Sequence, residues 1–336
     1  MSILTNANIM VTGGTGTFGH AFVQQALVDG ARRIVVFSRD ELKQSEMAKQ
    51  FSDDRMRFML GDVRDAARLE RAMRGVEYVV HAAAMKQVPA CEQHPWEAEE
   101  TNSIGSRHVA QAAIKAHVRK AVLLSSDKAA NPNTHYGATK LMAEHHFTNG
   151  NVDAAGTVTR LIATRYGNVL GSRGSVVPVW QKQIAAGAVP TVTDARATRF
   201  WMTISDAVWL VMTALRDGRG GEIFIPKIGA ASITTLLDAV KVGYRSEGIT
   251  VADGYQETGL RRSEKLHELL ITQDEARDTY TCSDYYLIEP DRTWEFLPPP
   301  PHPKVREGFV YSSNENAWQH TVEDLATMII HSTHGE

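Results

Sequence analysis

The sequence has 336 residues, of which 43% are hydrophobic and 22% charged, and its formal net charge is −3. Because neither sign of charge dominates, nucleic acid and anionic membranes are excluded as expected partners. The two distant cysteines, Cys91 and Cys282, give no disulfide framework, and we find neither a secretory leader nor an apolar run long enough to span a membrane, so we expect a cytoplasmic protein.

Short apolar strands alternate with helical stretches in the first half of the chain, which is the pattern of repeated βαβ units. In chain order, the predicted elements are a strand over Ile9–Val11, a helix over Phe18–Val28, strands over Ile34–Phe37 and Met56–Leu60, a helix near Leu69–Met73, a strand over Tyr78–Val80, a helix over Ser103–Ala116 and a strand over Ala121–Leu124. Each strand is apolar enough for burial. The alternation predicts an α/β fold with a doubly wound parallel sheet.

A glycine-rich loop follows the first predicted strand and opens the first predicted helix. Its three-residue glycine spacing permits a tight turn, close approach to a pyrophosphate and close helix-to-strand packing. Ordinary turns also contain such glycines, but the flanking strand and helix favour a dinucleotide site in a Rossmann-type sheet. The loop residues assigned to the cofactor are Gly13, Thr15, Gly16, Thr17, Phe18 and Gly19.

Charged residues follow the second predicted strand, where a dinucleotide places its adenosine ribose. Ser38, Arg39 and Lys43 favour the additional phosphate of NADP. Asp40 keeps NAD open as an alternative, because an acidic residue at this point binds a ribose diol. Surface charge is the ordinary explanation for the two basic residues. The pattern favours NADP over NAD.

The next two strand ends continue this crevice along the sheet. Asp62 and Val63 follow the third strand, with a carboxylate for the adenine edge and an apolar side chain for its ring. Ala82 and Ala83 follow the fourth strand, where small side chains let a cofactor approach. Lys86 comes next and is assigned to a phosphate or a sugar hydroxyl, with a solvated lysine as the alternative.

Residues 126–140 hold two sets of proton-transfer groups. Tyr136 and Lys140 share a face if they lie on a helix, and we expect the ammonium to lower the phenol pKa from about 10 toward working pH. With Ser126, they suit hydride chemistry at an alcohol. Asp127 and Lys128 are superfluous for that chemistry and suggest a second step, the loss of water. The alternative is a local ion pair that caps the loop.

The residues of the glycine loop, together with Tyr136 and Lys140, resemble the extended short-chain dehydrogenase/reductase superfamily. Further motifs resemble one family within it, the inverting UDP-N-acetylglucosamine 4,6-dehydratases that begin pseudaminic acid biosynthesis. These motifs are Ser38–Gln44, Asp127–Pro132, Arg165–Val169, Ser172–Pro178 and Thr198–Trp201. The resemblance covers roughly residues 5–290.

The resemblance implies a tightly bound NADP that is recycled in each turnover. It takes hydride from C4 of the hexose while Tyr136 removes the hydroxyl proton, and Lys140 and Ser126 assist. Lys128 then takes the C5 proton, Asp127 protonates the departing C6 hydroxyl, and hydride returns to C6. These roles need an unprotonated lysine and a protonated carboxylic acid, which burial favours. The resemblance also implies inversion at C5.

The same resemblance implies that the second half of the chain binds a UDP-sugar. Two arginines are assigned to the diphosphate, a glutamate to the uridine ribose and an apolar segment to the uracil. The assigned residues are Lys86, Asn168, Val176, Val177, Pro178, Thr193, Arg199, Arg261 and Glu264. This sequence departs from the family's Arg-Pro-Gly-Glu-Lys, because Arg262 and Ser263 replace the Pro-Gly pair.

We therefore expect an NADP-binding domain with the catalytic loop over residues 1–165 and a smaller, interleaved substrate-binding subdomain mainly over residues 166–336. No metal is expected, since the adjacent His145 and His146 cannot face one ion. The superfamily resemblance implies a homo-oligomer. The alternative functions are a retaining 4,6-dehydratase, a nucleotide-sugar 4-epimerase and a non-catalytic NADP-sensing protein.

Overall fold

The chain folds around a large mixed sheet, in a computed structural model that describes residues 2–172, 174–246, 248–295 and 297–333. Arg173, which belongs to the Ser172–Pro178 motif, lies outside these residues. The strands are β1 (Asn8–Thr12), β2 (Arg33–Ser38), β3 (Met56–Leu60), β4 (Tyr78–His81), β5 (Lys120–Leu124), β6 (Arg160–Thr164), β7 (Asn168–Val169), β8 (Thr191–Val192), β9 (Thr198–Met202), β10 (Ile223–Pro226), β11 (Ala230–Ser232), β12 (Gln256–Glu257), β13 (Leu269–Ile271), β14 (Thr279–Thr281), β15 (Tyr285–Ile288) and β16 (Tyr311–Ser312).

Helices separate most of these strands, as a parallel sheet requires. The α-helices are α1 (Thr17–Val28), α2 (Glu41–Gln50), α3 (Ala66–Ala72), α4 (Val88–Gln93), α5 (Pro95–Ala98), α6 (Gly105–Lys115), α7 (His135–Thr148), α8 (Val176–Ala185), α9 (Ile204–Asp217), α10 (Ile233–Ser246) and α11 (Val322–Thr333). A π-helical segment, Glu99–Ile104, leads directly into α6. Among the described helices, none is both long and apolar enough to cross a membrane.

The large sheet has nine strands within the described residues, in the order β14-β15-β10-β6-β5-β4-β1-β2-β3. In this sheet, β3, β2, β1, β4, β5, β6 and β10 pair in parallel, each with the next. Strand β15 pairs antiparallel with β10 and with β14. The order β3-β2-β1-β4-β5-β6 is that of a dinucleotide-binding Rossmann sheet, whose crevice opens at the carboxyl ends of β1 and β4. The predicted α/β fold class is confirmed.

Both faces of this sheet are covered by apolar packing. Ile9 and Val11 of β1 belong to one buried cluster, and Met10 between them belongs to the cluster on the opposite face. This alternation follows from the two-residue period of a strand. A third buried cluster, which includes Trp180 and Leu236, joins α8, α10 and α11.

The five predicted strands of the first half all form, as β1 to β5, and their bounds agree within one or two residues. The helix predicted over Ser103–Ala116 begins instead as the π-helical segment. The expectation that each strand is buried is wrong for β3, where Leu60 is 44% exposed. β3 is the edge of the sheet, so it has a neighbour on only one side. An apolar run does not by itself reveal whether its strand is central or at the edge.

Candidate active site

The glycine-rich loop between β1 and α1 packs against the end of β4. Gly13 has φ +66°, and a Cβ atom at this position would lie 2.7 Å from the amide nitrogen of Ala83. A Cβ on Gly19 would overlap the carbonyl oxygen of Gly14. Only glycine satisfies both the backbone conformation and the close approach at Gly13. The loop therefore brings backbone amide groups to the crevice with no side chains in between.

The N-terminus of α1 points its unpaired amide groups into this crevice. Gly16 is the N-cap residue, and no side chain of the described residues accepts from the first turn. The first turn also holds no acidic side chain. The positive end of the helix dipole is thus available to an anion such as a pyrophosphate.

The end of β2 presents one basic side chain whose charge is only loosely paired. Asp40 caps α2 by accepting from the Lys43 amide at 3.0 Å, and it pairs with the Lys43 ammonium at 2.8 Å. The hydrogen bond from the Lys43 side chain holds the pKa of Asp40 below its usual range. Arg39 is about half exposed, with its nearest carboxylate, Asp62, at 3.5 Å. Asp40 is therefore paired with Lys43, and Arg39 lies beside them with a weaker ion pair.

A cavity of about 1260 Å³ runs from the glycine loop to the second half of the chain. That volume exceeds the usual range for one small ligand and admits a dinucleotide beside a second ligand. The predicted site residues on its wall are Gly13, Thr15, Gly16, Thr17, Phe18, Gly19, Ser38, Arg39, Lys43, Val63, Ala82, Ala83, Lys86, Ser126, Lys128, Tyr136, Lys140, Asn168, Val176, Thr193, Arg199, Arg261 and Glu264.

Four predicted site residues do not line this cavity. Asp62 is held by Arg64, which donates to its carboxylate at 2.7 and 3.0 Å, so the expected adenine contact is not prepared in this structure. Val177 is buried in the apolar cluster around α8, and Pro178 follows it in the first turn of that helix. Asp127 lies behind the wall, 1% exposed, and reaches it through Ser126 and Lys128.

Several buried polar atoms along the cavity wall have no protein partner. The hydroxyls of Thr101, Ser125 and Ser175 and the indole nitrogen of Trp201 make no hydrogen bond within the described part of the chain. Buried polar groups are normally satisfied, so such atoms on one wall mark positions that a ligand completes. Together with the cradle at Gly13, they fit a bound dinucleotide.

Helix α7 carries Tyr136 and Lys140 on one buried face. Thr134 caps the helix by accepting from the Gly137 amide at 3.0 Å. Lys140 donates to the carbonyl oxygen of Leu124 at 2.6 Å, and burial lowers its pKa to about 8. Tyr136 and Lys140 follow this cap in the first turns of the helix.

The pKa of Tyr136 differs from the sequence-based expectation. Burial raises it to about 12, while the Lys128 cation and a hydrogen bond with Ser126 pull it down. The prediction that Lys140 brings this pKa toward working pH is therefore wrong for this structure. The cation that acts on the phenol is Lys128, because Lys140 is directed to the backbone of β5 instead.

Asp127 and Lys128 form an ion pair in a short 3-10 turn, Asp127–Ala129. The Lys128 ammonium donates to Asp127 Oδ1 at 3.0 Å, and Ser126 Oγ donates to the same oxygen at 2.8 Å. Burial alone lowers the pKa of Lys128, but Asp127 and Glu268 outweigh it and hold this pKa above its ordinary value. The expectation that burial favours an unprotonated Lys128 is thus wrong for this structure.

Glu268 is the main site residue that the sequence did not reveal. It is 3% exposed, and its Oε1 lies 3.5 Å from the Lys128 ammonium. Lys265, three residues earlier, donates to the carbonyl oxygen of Ala130 beside the catalytic loop at 2.7 Å. The only feature of the sequence that points to Glu268 is its position four residues after Glu264. That spacing does not show that Glu268 pairs with Lys128. Gln87, Tyr166 and Thr258 also line the cavity without having been predicted.

Four residues predicted for the substrate meet at Glu264. Arg199 donates to Glu264 Oε1 at 3.0 Å, and Thr193 donates to the same oxygen at 3.1 Å. The amide of Arg261 donates to Oε2 at 3.2 Å. Arg199 is 8% exposed and lines the cavity. The structure therefore gathers one carboxylate and two arginines at the end of the cavity opposite the glycine loop.

The segment that replaces the family's Pro-Gly sequence forms a tight turn. The Glu264 amide donates to the Arg261 carbonyl oxygen at 3.0 Å, which closes a four-residue turn. Ser263 occupies its third position with φ +62°. A type II turn favours Pro and Gly at its two central positions. Ser263 thus holds a conformation that suits glycine.

The described residues contain no group of three or more His, Cys, Asp or Glu side chains that could hold a metal ion. His145 lines a small surface cavity of about 310 Å³ with His146, and His146 also contacts the Ser103 hydroxyl at 3.2 Å. These contacts assign neither histidine to the main cavity.

Residues 9–290 match the protein family described as polysaccharide biosynthesis protein. An inverting UDP-N-acetylglucosamine 4,6-dehydratase of Campylobacter jejuni is 42% identical over 335 residues, which cover 97% of this chain and 98% of the relative. A UDP-glucose 4-epimerase of Rickettsia canadensis is 39% identical over 293 residues, which cover 86% of this chain and 84% of the relative.

Solved structures show the same architecture. Pen from Bacillus thuringiensis is 34% identical with a TM-score of 0.87, covering 98% of this chain and 99% of that one. The dTDP-glucose 4,6-dehydratase DesIV from Streptomyces venezuelae, solved with NAD and TYD bound, is 25% identical with a TM-score of 0.67, covering 77% and 86%. This chain therefore belongs to the polysaccharide biosynthesis protein family, and its resemblance to the inverting UDP-N-acetylglucosamine 4,6-dehydratases is confirmed.

Proposed function

We propose that this protein catalyses the 4,6-dehydration of UDP-N-acetylglucosamine with inversion at C5, as the first step toward a pseudaminic acid-type sugar. The product is UDP-2-acetamido-2,6-dideoxy-β-L-arabino-hexos-4-ulose. The observation that carries the proposal is the Asp127–Lys128 pair beside Ser126 and Tyr136. Oxidation and reduction at C4 need no second acid and base. Loss of water from C5 and C6 needs both.

The proposed cofactor is NADP, held by the glycine loop and the positive end of α1. When bound, it accepts hydride from C4 of the sugar and returns hydride to C6. Arg39 offers a loosely paired guanidinium at the end of β2, which suits the 2′-phosphate. Asp40, the residue that would favour NAD, is engaged by Lys43 instead.

A relay through Tyr136 and Ser126 supplies the acid for the second step. Tyr136 is protonated at neutral pH, since burial holds its pKa near 12. It can therefore accept the C4 hydroxyl proton only as it passes its own proton on. Ser126 hydrogen-bonds with the phenol and donates to Asp127 Oδ1 at 2.8 Å, so the proton reaches Asp127. The carboxylic acid needed at C6 is formed by the first step.

The elimination then uses the other member of the pair. A protonated Asp127 no longer holds the ammonium of Lys128, whose side chain is 26% exposed and loses its proton to solvent. The C5–H bond breaks as its proton moves to Lys128 Nζ, and its electron pair forms the C5–C6 double bond. The C6–O bond breaks as the oxygen takes a proton that passes from Asp127 through the Ser126 hydroxyl, and it leaves as water.

The sugar nucleotide is proposed to lie along the wall that Arg199, Thr193 and Glu264 build. Arg199 and Arg261 bind the diphosphate, because guanidinium groups pair with phosphate oxygens in bidentate fashion. Glu264 holds Arg199 in place at 3.0 Å and receives the uridine ribose. Asn168 and Val176 lie on the same cavity wall, for the sugar and the uracil.

Incubation of the purified protein with UDP-N-acetylglucosamine in deuterated water tests the proposal. We expect a 6-deoxy-4-keto product with deuterium at C5, and NMR coupling constants of the ring protons that show inverted C5 configuration. A product with retained configuration contradicts the inversion. A 4-epimer without deuterium at C5 indicates the alternative activity, and no turnover indicates a binding protein.

Epimerisation at C4 remains the second candidate function, favoured by the 39% identity to UDP-glucose 4-epimerases of Rickettsia. Such an enzyme would need Tyr136, Lys140 and the cofactor alone. The Asp127–Lys128 pair then has no chemical role, and its removal should leave epimerisation intact.

The substitution Lys128→Ala separates these functions. We expect it to abolish the dehydrated product while NADP remains bound, because it removes the base without touching the glycine loop. Product is measured by NMR and bound cofactor by its absorbance after denaturation. Lys115→Ala, which removes an exposed lysine paired with Glu70, serves as the control and should be fully active. Normal turnover by Lys128→Ala contradicts the proposed base.

A further inference from the structure

Glu268 is a buried carboxylate beside the Asp127–Lys128 pair, and it is fixed by its backbone. Its amide donates to the Ser313 hydroxyl at 2.9 Å, and the Ser313 amide donates to its carbonyl oxygen at 2.9 Å. Its Oε1 lies 3.5 Å from Lys128 Nζ. The ammonium of Lys128 is thus placed between two carboxylates that come from distant parts of the chain.

Lys128 is the cation nearest to Glu268. Lys265 Nζ and Arg199 Nε lie farther away, each at 3.9 Å. Each of these two cations also has a shorter hydrogen bond elsewhere. Lys265 donates to Ala130 at 2.7 Å, and Arg199 donates to Glu264 at 3.0 Å. Lys128 also has a shorter hydrogen bond, to Asp127 at 3.0 Å, so what distinguishes it is that it lies nearest to Glu268, at 3.5 Å.

The Glu268 side chain is also incompletely satisfied. Its Oε2 is buried and accepts no hydrogen bond from the described residues. A buried carboxylate with an unpaired oxygen costs free energy, and a residue chosen for packing alone would avoid that cost. Charged groups held at such a cost cluster at functional sites.

We infer that Glu268 is a positioning residue for the dehydration, which keeps Lys128 directed at the sugar and stabilises its ammonium while Asp127 carries a proton. This inference rests on the proposed function. In the relay described above, Asp127 is neutral when Lys128 takes the C5 proton. Glu268 is then the carboxylate that faces the new ammonium. It neither gives nor takes a proton and does not touch the substrate.

The charges around Lys128 determine in which direction the pH dependence of C5 deuteration should shift. Asp127 and Glu268 raise the pKa of Lys128 and Arg199 lowers it, while Tyr136 and Lys265 are the other titratable groups that it influences. In the relay the base is the free amine that forms once Asp127 is protonated, so C5 deuteration falls as the pH drops through the pKa that Lys128 has in that state, where Glu268 is the carboxylate that still raises it. The variant Glu268→Gln lowers the pKa of Lys128, so this fall moves to lower pH.

For Glu268→Gln we expect the fall to move by about one pH unit or more. We also expect the maximal rate of C5 deuteration to decrease about tenfold or more, because a less basic amine is a weaker catalyst. KM and NADP binding should change less than about twofold, since neither ligand contacts this carboxylate in the proposed arrangement. Glu268→Asp retains the charge and should shift the pH dependence less. If the Glu268→Gln variant does not fold, Glu268→Asp provides the test.

Glu289→Gln is a matched control, because Glu289 also has one buried oxygen without a hydrogen bond from the described residues, and Arg219 and Arg292 hold it away from the cavity. It should keep the wild-type pH profile. An unshifted profile for Glu268→Gln, or a loss confined to KM, overturns the inference alone. A wild-type protein that incorporates no deuterium at C5 overturns the proposed function and the inference together.

Discussion

Two lysines near the proposed chemistry have pKa values that are shifted in opposite directions. Burial lowers the pKa of Lys140 to about 8, and Glu144 opposes it only in part. Lys128 is partly buried, with 26% of its side chain exposed, and its two carboxylate neighbours raise its pKa instead. The counter-ions decide the direction of the shift. A lysine in a catalytic loop is therefore assigned a charge state only when its neighbours are known.

Ser263 gives a prediction at the scale of one residue. Its φ of +62° costs an L-residue about 1–2 kcal/mol, whereas glycine adopts it freely but loses more conformational entropy on folding. We expect Ser263→Gly to raise the free energy of unfolding by about 0.5–1 kcal/mol. The measurement is urea unfolding followed by circular dichroism.

Ser263→Ala is the control, because alanine removes the hydroxyl but keeps the Cβ atom. It should show no gain in stability. Equal gains for alanine and glycine would mean that the side chain, and not the backbone conformation, limits stability at this turn.

At the scale of elements, local pattern was a good guide to the first half of the sheet. The strands from β1 to β5 follow from apolar runs and the turns between them, since each run is bounded by its own neighbours in sequence. The edge position of β3 could not be predicted from its own sequence, because it depends on whether another strand pairs with its free side. Likewise Asp127 and Lys128 were found from their motif, but Glu268 joins them through tertiary packing only, and the charge state of the pair depends on it.

The end of β2 gives a prediction at this scale. Arg39→Ala should raise the Kd for NADP about tenfold or more, which corresponds to the loss of a charge-assisted hydrogen bond, and leave the Kd for NAD unchanged. Both constants are measured by titration of cofactor-free protein in a calorimeter.

Arg32→Ala provides the comparison. Arg32 lies just before the other end of β2, is about half exposed and pairs with Glu77 at 3.7 Å, so its removal should change neither constant. Tighter binding of NAD than of NADP by the wild-type protein would contradict the proposed cofactor.

At the scale of the whole molecule, a buried arginine ties three separate elements together. Arg165 follows β6 and is 1% exposed. It donates to Glu144 on α7 at 2.7 Å, to Glu275 near β14 at 3.0 Å and to the carbonyl oxygen of Leu270 on β13 at 3.1 Å. The helix that carries Tyr136 and Lys140 is thereby connected to the segment that follows Glu268.

Arg165→Met leaves the buried carboxylate of Glu144 and the partly buried carboxylate of Glu275 without their cation, and we expect it to lower the free energy of unfolding by about 3–5 kcal/mol. Burial raises the pKa of Glu275, but Arg165 outweighs it and holds this pKa below the ordinary value. The stabilisation from this ion pair is therefore fully present above the pKa that Glu275 has in the unfolded chain. It is lost as the pH falls through the lower pKa that Glu275 has in the folded protein. The variant should lose less stability than the wild type on acidification.

Urea unfolding at several pH values measures both effects. Arg216→Met removes an exposed arginine that pairs with Asp217, and it should cost less than about 1 kcal/mol. A similarly small loss for Arg165→Met would show that this triad does not hold the elements together.

The pairing of β6 with β10 also sets an order of events for a chain that is still being synthesised. β6 ends at Thr164, and its outer neighbour in the sheet, β10, begins only at Ile223, after α8 and α9 have been made. Until then β6 is an open edge, with backbone donors and acceptors that can pair with another chain. The antiparallel strands β15 and β14 close the sheet later still. The cofactor-binding crevice therefore belongs to a sheet that is completed only when most of the chain has left the ribosome.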